Sequence, residues 1–151
     1  MIGAIIGDIV GSVYEFNNHK SKEFDLFSKA SKFTDDTVMT VAVADFVLLD
    51  RGVAGQSRFI SYLHKWYKKY PEESYGANFL KWIKNFDKED FTLWKPYNSF
   101  GNGAAMRISP VADSVGGEFN VKFITEVSHN HPEGIKGAQA TASMIELARK
   151  E

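Results

Sequence analysis

Thr34-Asp35-Asp36-Thr37 sets two carboxylates and two hydroxyls directly ahead of a long apolar run. Carboxylate, hydroxyl and carbonyl oxygens are hard ligands suited to Mg²⁺, Mn²⁺ or Ca²⁺, and adjacent carboxylates repel unless a cation or a proton sits between them. The same residues have a plainer use. If the apolar run is a helix, Thr34, Asp35 or Asp36 is its N-cap, where a side-chain oxygen accepts a backbone N–H bond and negative charge faces the positive end of the helix dipole. The two uses are compatible, since a cap and a ligand can employ different oxygens.

Three other clusters carry chemistry. Asp8, Ser12 and Glu15 follow at spacings of four and three, so they share one face of an otherwise apolar helix. They are either exposed polar residues or a face on which Glu15 points into a site. In Ser99-Phe100-Gly101-Asn102-Gly103-Ala104-Ala105-Met106-Arg107 a glycine-flanked Asn precedes an Ala-rich helical start. Such a start presents unpaired backbone N–H groups to a phosphate or diphosphate, or is a simple turn and cap. Ser128-His129-Asn130-His131-Pro132-Glu133-Gly134 gathers two imidazoles, an amide and a carboxylate just before a helix that opens at Pro132. Two His spaced by two in a turn point to hydrogen bonding with a ligand more than to a metal site.

The elements that must hold these clusters read as helices. Residues 2–16 form the first, with Gly3, Gly7 and Gly11 lining a face with no side chain, against which another helix could pack closely. Residues 17–32 are a polar loop, a lid candidate by its length, with Phe24, Leu26 and Phe27 as anchors. Val38 to Leu49, interrupted only by Thr40 and Asp45, is long enough for a helix buried on most sides, although its β-branched content leaves a strand open; Asp50-Arg51-Gly52 stops it. Phe59, Tyr62, Leu63, Trp66, Tyr67 and Tyr70 keep helical spacing up to Pro71, with Lys65, Lys68 and Lys69 on the other side. Aromatics among lysines can bind single-stranded nucleic acid, but rings at helical spacing are assigned to the core. Residues 79–86 repeat that pattern, 87–98 are irregular, and Pro110 limits or kinks the helix begun in the glycine cluster. Gly116-Gly117 then separates a helix over 119–128 from a final one over 133–150.

Composition bounds the possibilities. A chain of 151 residues with 44% hydrophobic and 25% charged side chains is one globular domain. With 18 basic against 19 acidic residues there is no global field to select nucleic acid or an acidic membrane. The absence of Cys excludes disulfides, thiolate metal sites and thiol nucleophiles. The apolar start has no basic flank and is broken by Asp8, and no run reaches the ~18 apolar residues of a membrane span. A cytoplasmic protein with no membrane partner is the expectation.

Taken together, residues 3–16, 33–40, 99–112 and 128–134 resemble, in order, the motifs of the ADP-ribosylglycohydrolase family, which includes the dinitrogenase-reductase-activating glycohydrolases. The resemblance implies an all-α, compact multi-helix domain with two divalent cations, Mg²⁺ or Mn²⁺, at the base of a cleft for ADP-ribose. It assigns Thr34, Asp35 and Asp36 as metal ligands and Glu15, Asp35 and Asp36 as catalytic. Ser99, Gly101, Asn102 and Gly103 become the loop on the ribose and diphosphate, His129 an imidazole in the cleft, and Met106 and Arg107 packing residues behind the loop. The implied reaction is hydrolysis of the glycosidic bond joining ADP-ribose to a protein side chain or small conjugate; a binding or structural module without hydrolysis is the alternative. The similarity covers the family's N-terminal half. The opposing Asp-x-Asp-Thr ligands belong to the later half, and no such pattern follows His131. The expected partners are therefore ADP-ribose or an ADP-ribosylated protein, with a second copy or a separate C-terminal half covering the face left open.

Overall fold

The computed structural model describes residues 1–50, 55–86, 94–114 and 117–150. Within them the chain is all-α: α1 Ile2–Gly11, α2 Asp35–Leu49, α3 Gln56–Lys69, α4 Ala77–Lys84, α5 Ser109–Ala112, α6 Gly117–Glu126 and α7 Pro132–Ala148, with no strand. None of these helices is long and apolar enough to cross a membrane.

The helix α2 is the axis of the body. Its Val38, Met39, Ala42, Val43, Ala44 and Phe46 are all buried, the outcome of an apolar run with no polar face, and it packs against α1, α3 and α5. Phe46 lies 5.0 Å from Phe59 of α3, ring centre to ring centre, and stacks on Phe123 of α6. At 1% exposure it is a position where truncation to Ala costs about 3–5 kcal/mol. The one acid inside the run, Asp45, sits at the edge, where it accepts from Lys65 at 2.7 Å and from the Trp66 indole at 2.8 Å. On α3 the helical spacing of rings is core packing: Phe59, Tyr62, Leu63 and Tyr67 are buried, with Trp66 and Tyr70 packed against them. Lys65 and Lys69 lie over these rings, Lys69 over Trp66 at 4.8 Å.

Several sequence expectations are corrected. The first helix ends at Gly11 rather than at Phe16; beyond it the Tyr14 N–H bonds to the Gly11 carbonyl at 2.8 Å, a turn in place of a further helical bond. A Cβ placed at Gly3, Gly7 or Gly11 would meet nothing within 4 Å, so no helix approaches that stripe among the described residues. Phe24, Leu26 and Phe27 do not anchor the loop in the core; they are 44%, 61% and 61% exposed, and the Phe24 ring meets those of Tyr14 and His19. Residues 102–107 form consecutive turns instead of a helix, and α5 starts only at Ser109, so Pro110 opens a helix in its first turn rather than kinking one. Gly117 starts α6 rather than preceding it. Arg51, Gly52, residues 87–93 and Gly116, on which further expectations fall, lie outside the described residues.

Candidate functional site

Thr34 is the N-cap of α2: its backbone is extended and its Oγ1 accepts from the Asp36 N–H at 3.3 Å. The amide of Thr37, third residue of the helix, is satisfied from another element. Asp8 of α1 takes the N–H groups of Thr34 (2.8 Å) and Thr37 (3.1 Å) and both threonine hydroxyls, that of Thr34 at 2.6 Å. One carboxylate thus closes the start of α2 and fixes the rotamers of Thr34 and Thr37. The Thr34 Oγ1 donates to Asp8 and accepts from Asp36, which leaves it a single lone pair for any ligand.

Asp35 and Asp36 stand in the first turn beside this junction. Together with Asp8, Glu15 and Thr34 they line a cavity of about 610 Å³. Partial burial, and then the neighbouring charge of Asp36, push the Asp35 carboxyl up to about 6. Burial followed by the charges of Asp8 and Glu15 pushes Asp36 to about 6 as well. Crowded anions of this kind favour a counter-cation. The donor set is hard oxygen, as Mg²⁺ or Mn²⁺ requires. Yet among the described residues no three His, Asp or Glu side chains form a group able to hold an ion. Thr34, Asp35 and Asp36 offer hard oxygen donors that suit a divalent cation, but among the described residues they do not make up a complete set of ligands.

A second cavity, of about 300 Å³, is lined by Ser99, Gly101, Asn102, Gly103, Arg107 and His129. Asp35, Gly76, Asn102 and Met106 border both cavities, so the two adjoin as one cleft. Both volumes fall in the roughly 300–1,000 Å³ span of small-molecule sites. The glycine loop is braced by the segment after α6. The Asn98 N–H, at a left-handed φ of 53° that Asn tolerates, donates to Asn130 Oδ1 at 2.9 Å. The Gly101 N–H is already used by Ser99 Oγ at 3.2 Å, and the Met106 N–H by the Asn102 carbonyl at 2.9 Å, so only part of the loop's amides face a ligand. Gly134 lets α7 approach: a Cβ there would lie 2.7 Å from the Ser99 carbonyl oxygen. A Cβ on Gly103 would lie 3.0 Å from His129 Nε2.

Behind the loop, Arg107 is fully buried. It is more than packing. Its Nη2 donates to Ser128 Oγ at 2.9 Å, its Nε has no partner, and no carboxylate of the described residues pairs with it. Burial lowers its pKa to about 10, which leaves it a cation at neutral pH. Burial, and then this charge, press the His129 imidazole down to about 3, so it is neutral. His131 does not share the cleft role of His129; it is the N-cap of α7, its Nδ1 accepting from the Glu133 N–H at 3.2 Å. Asp8 and Arg107 are the residues whose roles sequence reading missed. The face shared by Asp8 and Glu15 was the only signal for the former; for the latter there was none.

The family model for ADP-ribosylglycohydrolase matches residues 1–151. The chain belongs to the ADP-ribosylglycohydrolase family. Among curated relatives, a protein of Acanthamoeba polyphaga mimivirus provisionally named an ADP-ribosyl glycohydrolase is 25% identical, over 88% of this chain and 49% of its own length. The mouse ADP-ribosylhydrolase ARH3 is 26% identical, over 98% of this chain and 47% of its own. The chain thus spans about half the length of these ADP-ribosylglycohydrolase relatives.

Proposed function

We propose that this chain supplies the ADP-ribose-binding half of a glycohydrolase that cleaves the bond between ADP-ribose and a protein side chain or small conjugate. The observation that carries the reading is the polarity of the cleft: four carboxylates at one end, and a buried, uncompensated guanidinium with loop amides and an imidazole at the other. A ligand suited to it has hydroxyls at one end and an anionic group a few atoms away, as ribose joined to a diphosphate does. Glycosidic cleavage passes through an oxocarbenium-like state, which the carboxylates of Asp35, Asp36 and Glu15 would stabilise by charge and serve by moving a proton. A divalent cation bound at Thr34, Asp35 and Asp36 would orient the ribose diol and lower the pKa of a water. The Asn102 and Gly103 backbone would hold the diphosphate, and His129 would donate to a ligand oxygen.

A second reading is binding without hydrolysis, since among the described residues no three His, Asp or Glu side chains form a group able to hold an ion. Calorimetry with ADP-ribose, followed by release of ADP-ribose from modified arginine or serine peptides with Mg²⁺ or Mn²⁺, separates the two. Hydrolysis, by the chain alone or once a family C-terminal half is added in trans, supports the first. Binding without turnover in either setting leaves the second, and absence of binding refutes both.

A further inference from the structure

A three-residue chain of hydrogen bonds stands behind the imidazole of the cleft. Arg107 Nη2 lies 2.9 Å from Ser128 Oγ, and Ser128 Oγ lies 2.8 Å from His129 Nδ1. All three side chains are shut off from solvent, with exposures of 0%, 0% and 3%. A guanidinium has donors only, so it occupies an acceptor lone pair of the serine oxygen. The serine has one proton. If His129 Nδ1 carried a hydrogen, that oxygen would accept twice and its own proton would be left buried without an acceptor, at about 1–3 kcal/mol. The arrangement that satisfies every group has the serine donating to Nδ1, which places the imidazole hydrogen on Nε2. Nε2 is the nitrogen beside Gly103 in the cleft.

We propose that Arg107 is a positioning residue: acting through Ser128, it fixes His129 as the Nε2–H tautomer and so makes it an obligate hydrogen-bond donor to an acceptor oxygen of the ligand. Gly103, without a side chain, leaves that N–H uncovered. The order Arg107 to Ser128 to His129 runs one way, because a cation at its head cannot accept. A ligand presenting a donor at this point meets another donor, so the chain selects phosphate, carbonyl or ether oxygens over amines. The ligand identity rests on the ADP-ribose reading, whereas the tautomer does not.

The test is a long-range ¹H–¹⁵N correlation of the histidine side chains in the ligand-free protein at pH 7. His129 is expected to show a pyridine-type Nδ1 and a protonated Nε2. Ser128→Ala should turn this into a mixed pattern, and should weaken ADP-ribose binding about tenfold. Arg107→Lys keeps one charged donor and should retain the native pattern, whereas Arg107→Met should lose it. If Arg107→Met does not fold by circular dichroism, Ser128→Ala decides. A protonated Nδ1 in the native protein, or a tautomer unchanged by Ser128→Ala, overturns the proposal. Failure of native protein to bind ADP-ribose would remove the ligand assignment and leave the tautomer result standing.

Discussion

Neutralising one of the paired carboxylates should stabilise the metal-free protein, which is the reverse of what loss of a designed contact would do. Asp36 is held at about 6 against an ordinary 3.8 by burial and by the charges of Asp8 and Glu15. Taken at face value this is at most ~3 kcal/mol of penalty on the charged form at neutral pH. Solvent screening at a partly exposed carboxylate cuts it to about 1–2 kcal/mol. Against this, Asp36 occupies the first turn of α2, where a negative charge gains about 0.3–1 kcal/mol from the helix dipole. Repulsion and desolvation win. Asp36→Asn in chelator at pH 7.5 should gain about 1 kcal/mol, a rise of roughly 2–4 °C in Tm for a chain of this size. The pH dependence fixes the cause. A carboxyl whose folded pKa is raised contributes stability in its protonated form below 3.8, and that stability is lost as pH rises through about 6. The advantage of the variant should therefore shrink toward zero at pH 4. With added Mn²⁺ the order should invert, since Asn carries no charge to offer the ion. Thermal denaturation of both proteins, at both pH values and with and without metal, measures all three. A variant less stable than native in chelator at pH 7.5, or one whose gain is equal at both pH values, refutes the electrostatic account of this wall.

Gly134→Ala should destabilise by about 1–3 kcal/mol and weaken ADP-ribose binding, because its Cβ would press on the Ser99 carbonyl, whereas Gly137→Ala, in open space on the same helix, should stabilise by up to about 1 kcal/mol; paired melting curves check both. Asp8→Ala should cost about 2–3 kcal/mol by chemical denaturation and abolish any Mn²⁺-induced rise in Tm, since four donors lose their acceptor at once. His129 is depressed to about 3, so its contribution to stability is present above the unfolded value of 6.5 and falls as pH drops below it, by up to about 1.4 kcal/mol per pH unit. The stability difference between native protein and His129→Gln should therefore narrow from pH 7 to pH 5, as read by urea unfolding.

What was legible in the sequence followed from local rules. The length of the apolar run of α2, broken only by Thr40 and Asp45, favoured a helix over a strand, and the ring spacing of α3 announced its geometry, because burial on one side writes itself into periodicity. That α2 is capped by Thr34, Asp35 or Asp36 was legible from residue type; which of the three does it, Thr34, came from the structure. The glycine loop was not: alanines at 104 and 105 favour a helix, yet 102–107 form turns, with Arg107 directed inward to Ser128 and the Ile124 carbonyl. Glycines spaced by four announce a close helix contact, but only tertiary structure says whether a helix comes. Asp8 reaches across 26 residues to Thr34, and no local pattern encodes such a reach. The residues of the candidate site could be listed from their order along the chain; that Asp35 borders both cavities, and that a buried cation stands behind the loop, needed the fold.

The attachment of α1 has a consequence for how this body opens. No side chain of α1 is fully buried, Ile5, Ile9 and Val10 being half-buried, so polar contacts carry much of its grip. Asp8 clasps Thr34 and Thr37, Ser12 Oγ accepts from the Lys32 N–H at 3.1 Å, and the Met1 amine meets Asp113, which also holds Arg149 beyond the end of α7. Apolar contacts can slide and re-form in many registers, whereas a carboxylate with four donors in fixed directions is either seated or not. Unseating α1 frees the first turn of α2 in the same event, so the amides of Thr34 and Thr37 should exchange hydrogen in step with each other and faster than the core of α2. The acidic wall then behaves as a latch: assembled whole, or absent whole.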